Sequence, residues 1–309
     1  MSDKVTYGGQ AVIEGVMMRG RHNVAIAVRK PDNDIIVEER PVNSIAKKLP
    51  FLKLPFFRGT VMLFESLIIG IQALTFSASQ AAEDEEEQLS PWEMTLTVGV
   101  AVILGILLFI VTPTSAARLL YSLESVVLIN FLEGLLRIGI FLVYVLAISR
   151  MKDIQRVFQY HGAEHKVIST YEANEKLTVE NARKYSQLHP RCGTSFLLIV
   201  MVIMVFIFSF LGKQDLLMRI VSRILLLPVV AGVSYEVLKL SGKYCNSPLM
   251  KIIITPGLWL QKLTTREPDD SQLEVAIASL KSVLAREEVS PEEVSPEEPS
   301  SQKSQEALQ

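Results

Sequence analysis

Three of the chain's four histidines fall within 29 residues, in YHGAEHKVIST (His161, Glu164, His165) and QLHPRCGTS (His189, Cys192). Histidines four apart share one face of a helix, so the imidazoles of His161 and His165 can converge on one cation. With Glu164 between them the order is His-x-x-Glu-His, that of inverted zinc proteases. There the histidines hold zinc and the glutamate acts as general base toward water. Such enzymes take a later glutamate as well, for which Glu236 is the candidate. Arg191, beside His189 and Cys192, is placed to bind an anionic group such as a carboxylate or phosphate.

Three arrangements fit these residues. His161, His165, His189 and Cys192 can close a tetrahedral site in which a divalent metal, zinc by its ligand types, only staples the loop. Two or three of them can hold the metal with a position left open, and Glu164 then serves as the base. Without metal, the same groups hydrogen-bond the loop together. Cys245 lies where it could approach Cys192, and in a reducing cytosol a ligand role outranks a disulfide.

The elements that must position these groups are membrane helices. The chain has 309 residues, 49% of them hydrophobic, with a formal net charge of -2 and a mean hydropathy of +0.31. The charges cluster outside a few long apolar runs that approach the ~20 residues a spanning helix requires. Four spans are expected, at about Met94–Val111, Val126–Ile148, Thr194–Leu211 and Leu216–Leu240. Lys and Arg number ten before the first span, eight in the 149–193 loop and seven from 241 onward, against one in each remaining loop. The positive-inside rule therefore puts both termini and the histidine loop on the cytoplasmic side of the membrane. Val61–Phe76, broken by Glu65 and Gln72, is short for a span and reads as an interfacial helix. If the second span continues past Ile148, it carries His161 and His165 on one helical face.

The polar parts complete the organisation. Residues 1–60 form a cytoplasmic β module, with a hairpin from Val24–Arg29 and Ile35–Arg40 around turn-forming residues. Four glycines (8, 9, 15, 20) punctuate the strand before it without the spacing of a dinucleotide fingerprint. Residues 61–93 hold the interfacial helix and the acidic EDEEE linker; 94–148 the first span pair; 149–193 the His/Cys loop; 194–240 the second pair. In 241–286, Leu273, Ile277, Leu280 and Leu284 recur at helical spacing and mark an amphipathic helix. The acidic, proline-bearing 287–309 is expected to be disordered. The fold class is thus an α-helical polytopic membrane protein of about four transmembrane helices with a small N-terminal β module.

Several classes are excluded. The near-neutral balance argues against nucleic acid as a partner, and two cysteines argue against a secreted disulfide scaffold. The polar N-terminus has no apolar region of a cleavable signal peptide. Neither a Walker loop nor a nucleophilic serine elbow occurs. Within the spans, Glu133 and Arg137 share an i,i+4 spacing that Arg219 and Arg223 repeat. They read as a charge-paired bundle core rather than a transport pathway.

Five segments carry a resemblance: GGQAVIEGVMMR (8–19), PFFRG (55–59), HGAEHK (161–166), HPRCGT (189–194) and SYE (234–236). On these the chain resembles, over roughly residues 7–265, a bacterial polytopic membrane family catalogued as domain of unknown function 1385. The resemblance implies a metal-dependent enzyme with no substrate attached. The expectation is a membrane protein with a metal-dependent, hydrolase-like site at its inner face. Its partners are the lipid bilayer and, in the second reading, other membrane proteins. That alternative is a non-catalytic factor assisting or regulating membrane-protein assembly, with the His/Cys loop as a structural site.

Overall fold

The structure is a computed structural model that describes residues 7–42, 44–45, 49–82, 90–120, 125–243 and 247–288. Glu124, Cys245, the acidic run at 83–87 and the tail from 289 lie outside the described residues.

The N-terminal module is one antiparallel sheet in sequence order, from β1 (Gly8–Val12), β2 (Gly15–Arg19), β3 (Asn23–Arg29) and β4 (Ile35–Pro41). Ile13 and Glu14 alone join β1 to β2, with Glu14 at φ 50°. That left-handed conformation is held by the carboxylate of Glu14, which takes an ion pair from Arg156 and a 3.3 Å hydrogen bond from the Tyr160 hydroxyl. β3 and β4 pair from Asn23↔Pro41 to Arg29↔Ile35, so the turn formers 30–34 close a hairpin.

Strands β2 and β3 are almost wholly apolar because both faces of the sheet are covered. Val16, Met18, Ala25 and Ala27 face α5 (Lys152–Glu172) and α10 (Asp270–Glu288), where they meet Ala163, Val167, Leu273 and Leu280. The alternate residues Met17, Val24, Ile26 and Val28 face α1 (Phe57–Ala81), meeting Ile69, Ala73 and Phe76. The result is three layers, with the sheet in the middle.

Among the described residues, four helices are long and apolar enough to cross a membrane: Phe57–Ala81, Trp92–Leu120, Val126–Ile148 and Leu216–Leu240. The second comprises α2 (Pro91–Ile106), a π-turn at Leu107–Val111, α3 (Thr112–Ala116) and a 3₁₀ turn. It starts at a capping box between Ser90 and Glu93. The others are α1, α4 (Val126–Ile148) and α8 (Leu216–Lys243). The expected span at 194–211 is α7 (Gly193–Ser209), whose 17 residues extend only about 25 Å.

The elements depart from expectation in three places. The apolar run at 61–76 belongs to a 25-residue helix that also takes in Gly59 before the run and Ser77 and Ser79 after it, where composition looked like an end. The hydroxyls of Ser77 and Ser79 bond back to the carbonyls of Leu74 and Phe76 within their own helix. α4 does not run on into the histidine segment; the chain turns at Ser149–Met151 and α5 starts anew at Lys152. Between α8 and α10 lies a further helix, α9 (Pro248–Thr264), begun by a proline in its first turn.

Charges occupy the bundle interior. Glu133 on α4, 1% exposed, accepts from Arg137 at 2.8 Å, from Arg223 at 2.7 Å, and pairs with Arg219 at 2.9 Å. Thr114 donates to it at 3.0 Å, and Asn130 bonds both α8 arginines. Nearer the histidine loop, Phe141, Val145, Met201 and Leu260 form an apolar knot of α4, α7 and α9. That knot sets the end of α9 against the start of α7.

Candidate metal centre

The first four helical turns of α5 deliver YHGAEHK into the meeting point of α5, α7, α9 and the sheet. Gly162 makes the approach feasible: a Cβ there would collide with the Arg266 carbonyl just after α9. His161 and His165 lie one turn apart with ring centroids 4.4 Å apart. The His161 Nδ1–H donates to the Thr264 carbonyl at 2.8 Å, and the His165 Nδ1–H to the Gln187 carbonyl at 2.6 Å. A carbonyl only accepts, so each neutral ring keeps its lone pair on Nε2. The His161 Nε2 lies 3.2 Å from Sγ of Cys192. The His165 Nε2 is buried without a partner among the described residues. Ligand atoms of His161, His165 and Cys192 all fall within 4.8 Å of one another.

Cys192 caps α7, its Sγ accepting from the Thr194 N–H at 3.3 Å. Burial, the larger influence, pushes the thiol above its usual range. Burial and then the neighbouring His161 push His165 down to about 3, which keeps it neutral. Glu164, 5% exposed, is raised by burial to about 7, with His161 pulling the other way. The Gly9 N–H bonds the Glu164 carboxylate, whose Oε2 has no partner among the described residues. A side chain at position 9 would strike the Met17 carbonyl at 2.6 Å and the Glu164 carboxyl carbon at 3.0 Å.

Not every expected residue joins this group. His189 is close, with its ring 5.7 Å from that of His165, but both its nitrogens are engaged. Nδ1 accepts from the Arg191 N–H at 3.3 Å, and Nε2 faces Glu172 at 3.4 Å. Burial lowers it to about 4, so it is a neutral donor to Glu172. Glu236 is not brought to the cluster. It forms a bidentate pair with Arg58 at the start of α1, where Phe56 sits over Gly232 and Gly59 against Tyr235. PFFRG and SYE are thus two halves of one helix contact. Arg191 pairs with Glu172 and lines a cavity of about 350 Å³ together with Glu164, His165 and Cys192.

Sequence reasoning missed what surrounds the cluster. Gly8, Gly9 and Arg19 of the sheet and Met62, Ser66 and Ile69 of α1 wall the cavity. The paired glycines were a usable signal of close backbone approach. Gln261, buried in apolar α9, clamps His189 by accepting from its N–H and donating to its carbonyl, each at 2.9 Å. A lone glutamine in an apolar helix was the signal there.

The donor set fits a borderline-soft divalent cation. Two imidazole Nε2 atoms and one thiol converge, and the opposite ring nitrogens are fixed by carbonyls, as a ligated histidine requires.

The chain is 39% identical over 300 residues to "Uncharacterized protein YqhQ" of Bacillus subtilis (strain 168), covering 92% of this chain and 94% of the relative. No solved structure matches it. The family model described as "Protein of unknown function (DUF1385)" matches residues 54–286. The chain belongs to that family.

Proposed function

We propose that this chain is a multi-pass protein of the bacterial cytoplasmic membrane with a zinc-type hydrolase centre at its inner face. The observation that carries this reading is the convergence of His161 Nε2, His165 Nε2 and Cys192 Sγ beside the buried carboxyl of Glu164, at the wall of a cavity. Four long apolar helices and the Lys/Arg distribution support the membrane and the inward placing of both termini.

His161, His165 and Cys192 would hold the cation. Three protein ligands leave the open position that distinguishes a catalytic from a structural site. Zinc bound there supplies Lewis acidity toward a water molecule and toward the oxygen of the substrate's scissile group. Glu164 supplies the proton transfers. Its buried carboxyl would accept a proton from the attacking water and give one to the leaving group. The Gly9 N–H holds the carboxylate in place, and Oε2 is the oxygen left to take the proton. His189 and Glu172 brace the ligand loop from behind.

The test is metal content of detergent-purified protein prepared without chelators. About one zinc per chain is expected in the wild type, and none in His161→Ala or His165→Ala. Glu164→Gln should keep the metal yet fail to complement a deletion strain. A metal-free wild type overturns the centre and leaves the non-catalytic membrane factor. A Glu164→Gln variant that complements overturns catalysis and leaves a structural staple.

A further inference from the structure

The cavity beside the cluster has a feature that metal binding alone does not use. Its walls carry two guanidinium groups from opposite parts of the chain, Arg19 at the end of β2 and Arg191 in the turn before α7. Each pairs with an acid. Arg19 lies 3.5 Å from Glu65 and donates to the Ser66 hydroxyl at 3.2 Å, while Arg191 pairs with Glu172. A guanidinium binds a phosphoryl group through a planar fork of N–H donors.

We propose that this cavity binds a phosphate group, with Arg19 and Arg191 as its two arms, so that the substrate is a phosphate-bearing molecule. This rests on the metal-centre reading for the chemistry that follows binding, but not for binding itself. Three observations select the ligand class. A carboxylate is satisfied by one guanidinium fork, whereas a phosphoryl group has oxygens and charge for two. A peptide added along the free edge of β1 would need the edge N–H groups. Those of Gly9 and Ile13 are taken by Glu164 and by the Ser77 hydroxyl, the latter at 3.2 Å. Gly8 presents bare backbone, with nothing within 4 Å of where a Cβ would stand, so an anion can approach the main chain.

The apolar part of the wall, Met17, Met62 and Ile69, accommodates the group that carries the phosphate. At about 350 Å³ the cavity is large enough for a headgroup-sized ester. A soluble phosphoester and a phospholipid headgroup share this chemistry.

Titration calorimetry on the full chain in detergent, metal-free and zinc-loaded, tests the assignment. The probes are inorganic phosphate and dihexanoyl phosphatidic acid, with acetate as the carboxylate control. Wild type should bind at least one phosphate probe, and Arg19→Gln and Arg191→Gln should each weaken it about tenfold or more. Arg19→Lys should retain part of the affinity. Met62→Trp, which narrows the apolar wall and spares both arginines, should weaken the phosphatidic acid probe more than inorganic phosphate. Binding of inorganic phosphate points to a soluble ester, and binding of the lipid alone to a headgroup. No binding of either probe, acetate binding as tightly as phosphate, or affinity unchanged in both Gln variants overturns the proposal. Arginine-dependent phosphate binding by a chain that takes up no zinc would sink the hydrolase reading alone.

Discussion

Gln261 shows how much of the metal centre depends on side chains that never touch it. Besides clamping both backbone groups of His189, its Nε2 donates to the Ser195 hydroxyl at 3.0 Å. One side chain on α9 thus fixes the segment that ends in Cys192. Gln261→Leu keeps the volume and removes the bonds, leaving His189 N–H and C=O buried without partners. The expected cost is about 1–3 kcal/mol in thermal unfolding, with zinc affinity down roughly 10–100-fold. A variant with wild-type affinity in a chelator competition would show that the loop is held some other way. The same dependence explains what could be read from sequence. The juxtaposition of His161 and His165 is set by helix geometry over four residues, so spacing alone reveals it. Whether His189 is a ligand or a brace depends on Glu172 and Arg191, and Glu236 is claimed by Arg58 from 178 residues away. No local pattern encodes such choices.

Elements are stabilised at their ends and seams. α10 starts with a reciprocal capping box: the Gln272 N–H donates to Asp269 at 3.0 Å, and the Asp269 N–H to the Gln272 side chain at 3.0 Å. Burial pushes the Asp269 carboxyl up, but bonds from Ser271 and Gln272 outweigh it and hold it below its ordinary 3.8. A lowered folded-state pKa gives stability that is complete above the unfolded value and lost as pH falls through the folded one. Asp269→Ala should therefore cost about 1 kcal/mol at neutral pH, with the gap to wild type closing below pH ~4. A gap independent of pH would exclude the charged cap. At the seam of α4 and α8, Glu133 faces three arginines, so Glu133→Gln leaves buried cations short of their carboxylate. About 3–5 kcal/mol should be lost, visible as a lower unfolding temperature in detergent. An unchanged temperature would mean the arginines have other adequate partners. The charges inside these helices were plain in the sequence and their i,i+4 spacing anticipated the Glu133–Arg137 pair. The break at Ser149–Met151 and helix α9 were not, since turns and amphipathic segments carry weaker periodic signals than continuous apolar runs.

At the scale of the whole molecule, the placement of α1 decides where the cavity opens. By length and composition α1 could cross a membrane. Its packing argues otherwise. Ile69, Ala73 and Phe76 lie on the sheet, and Ser77 bonds the Ile13 N–H, so this half of the helix shares the level of a module whose other face carries α5 and α10. Crossing would drag that module and its charged helices into hydrocarbon, where each ionised group costs several kcal/mol. The opposite side of α1 exposes Phe64, Leu67, Ile68, Ile71 and Leu74. A helix half with one face on a polar module and the other apolar fits a bilayer surface, while the first turn of α1 packs on α8, where the Thr60 hydroxyl donates to the Pro228 carbonyl at 2.8 Å. On the membrane reading proposed above, four crossings would then remain, the fourth being the short α7, and α1 would form a wall between cavity and lipid. A membrane-impermeant maleimide should report this in a Cys245→Ser background, Cys192 being buried. Asp32→Cys and Ala82→Cys, on either side of α1, should both label from the cytoplasmic side, and Gln214→Cys from outside. Labelling of Ala82→Cys from outside would make α1 a span and put the N-terminal sheet and α2 on opposite paths.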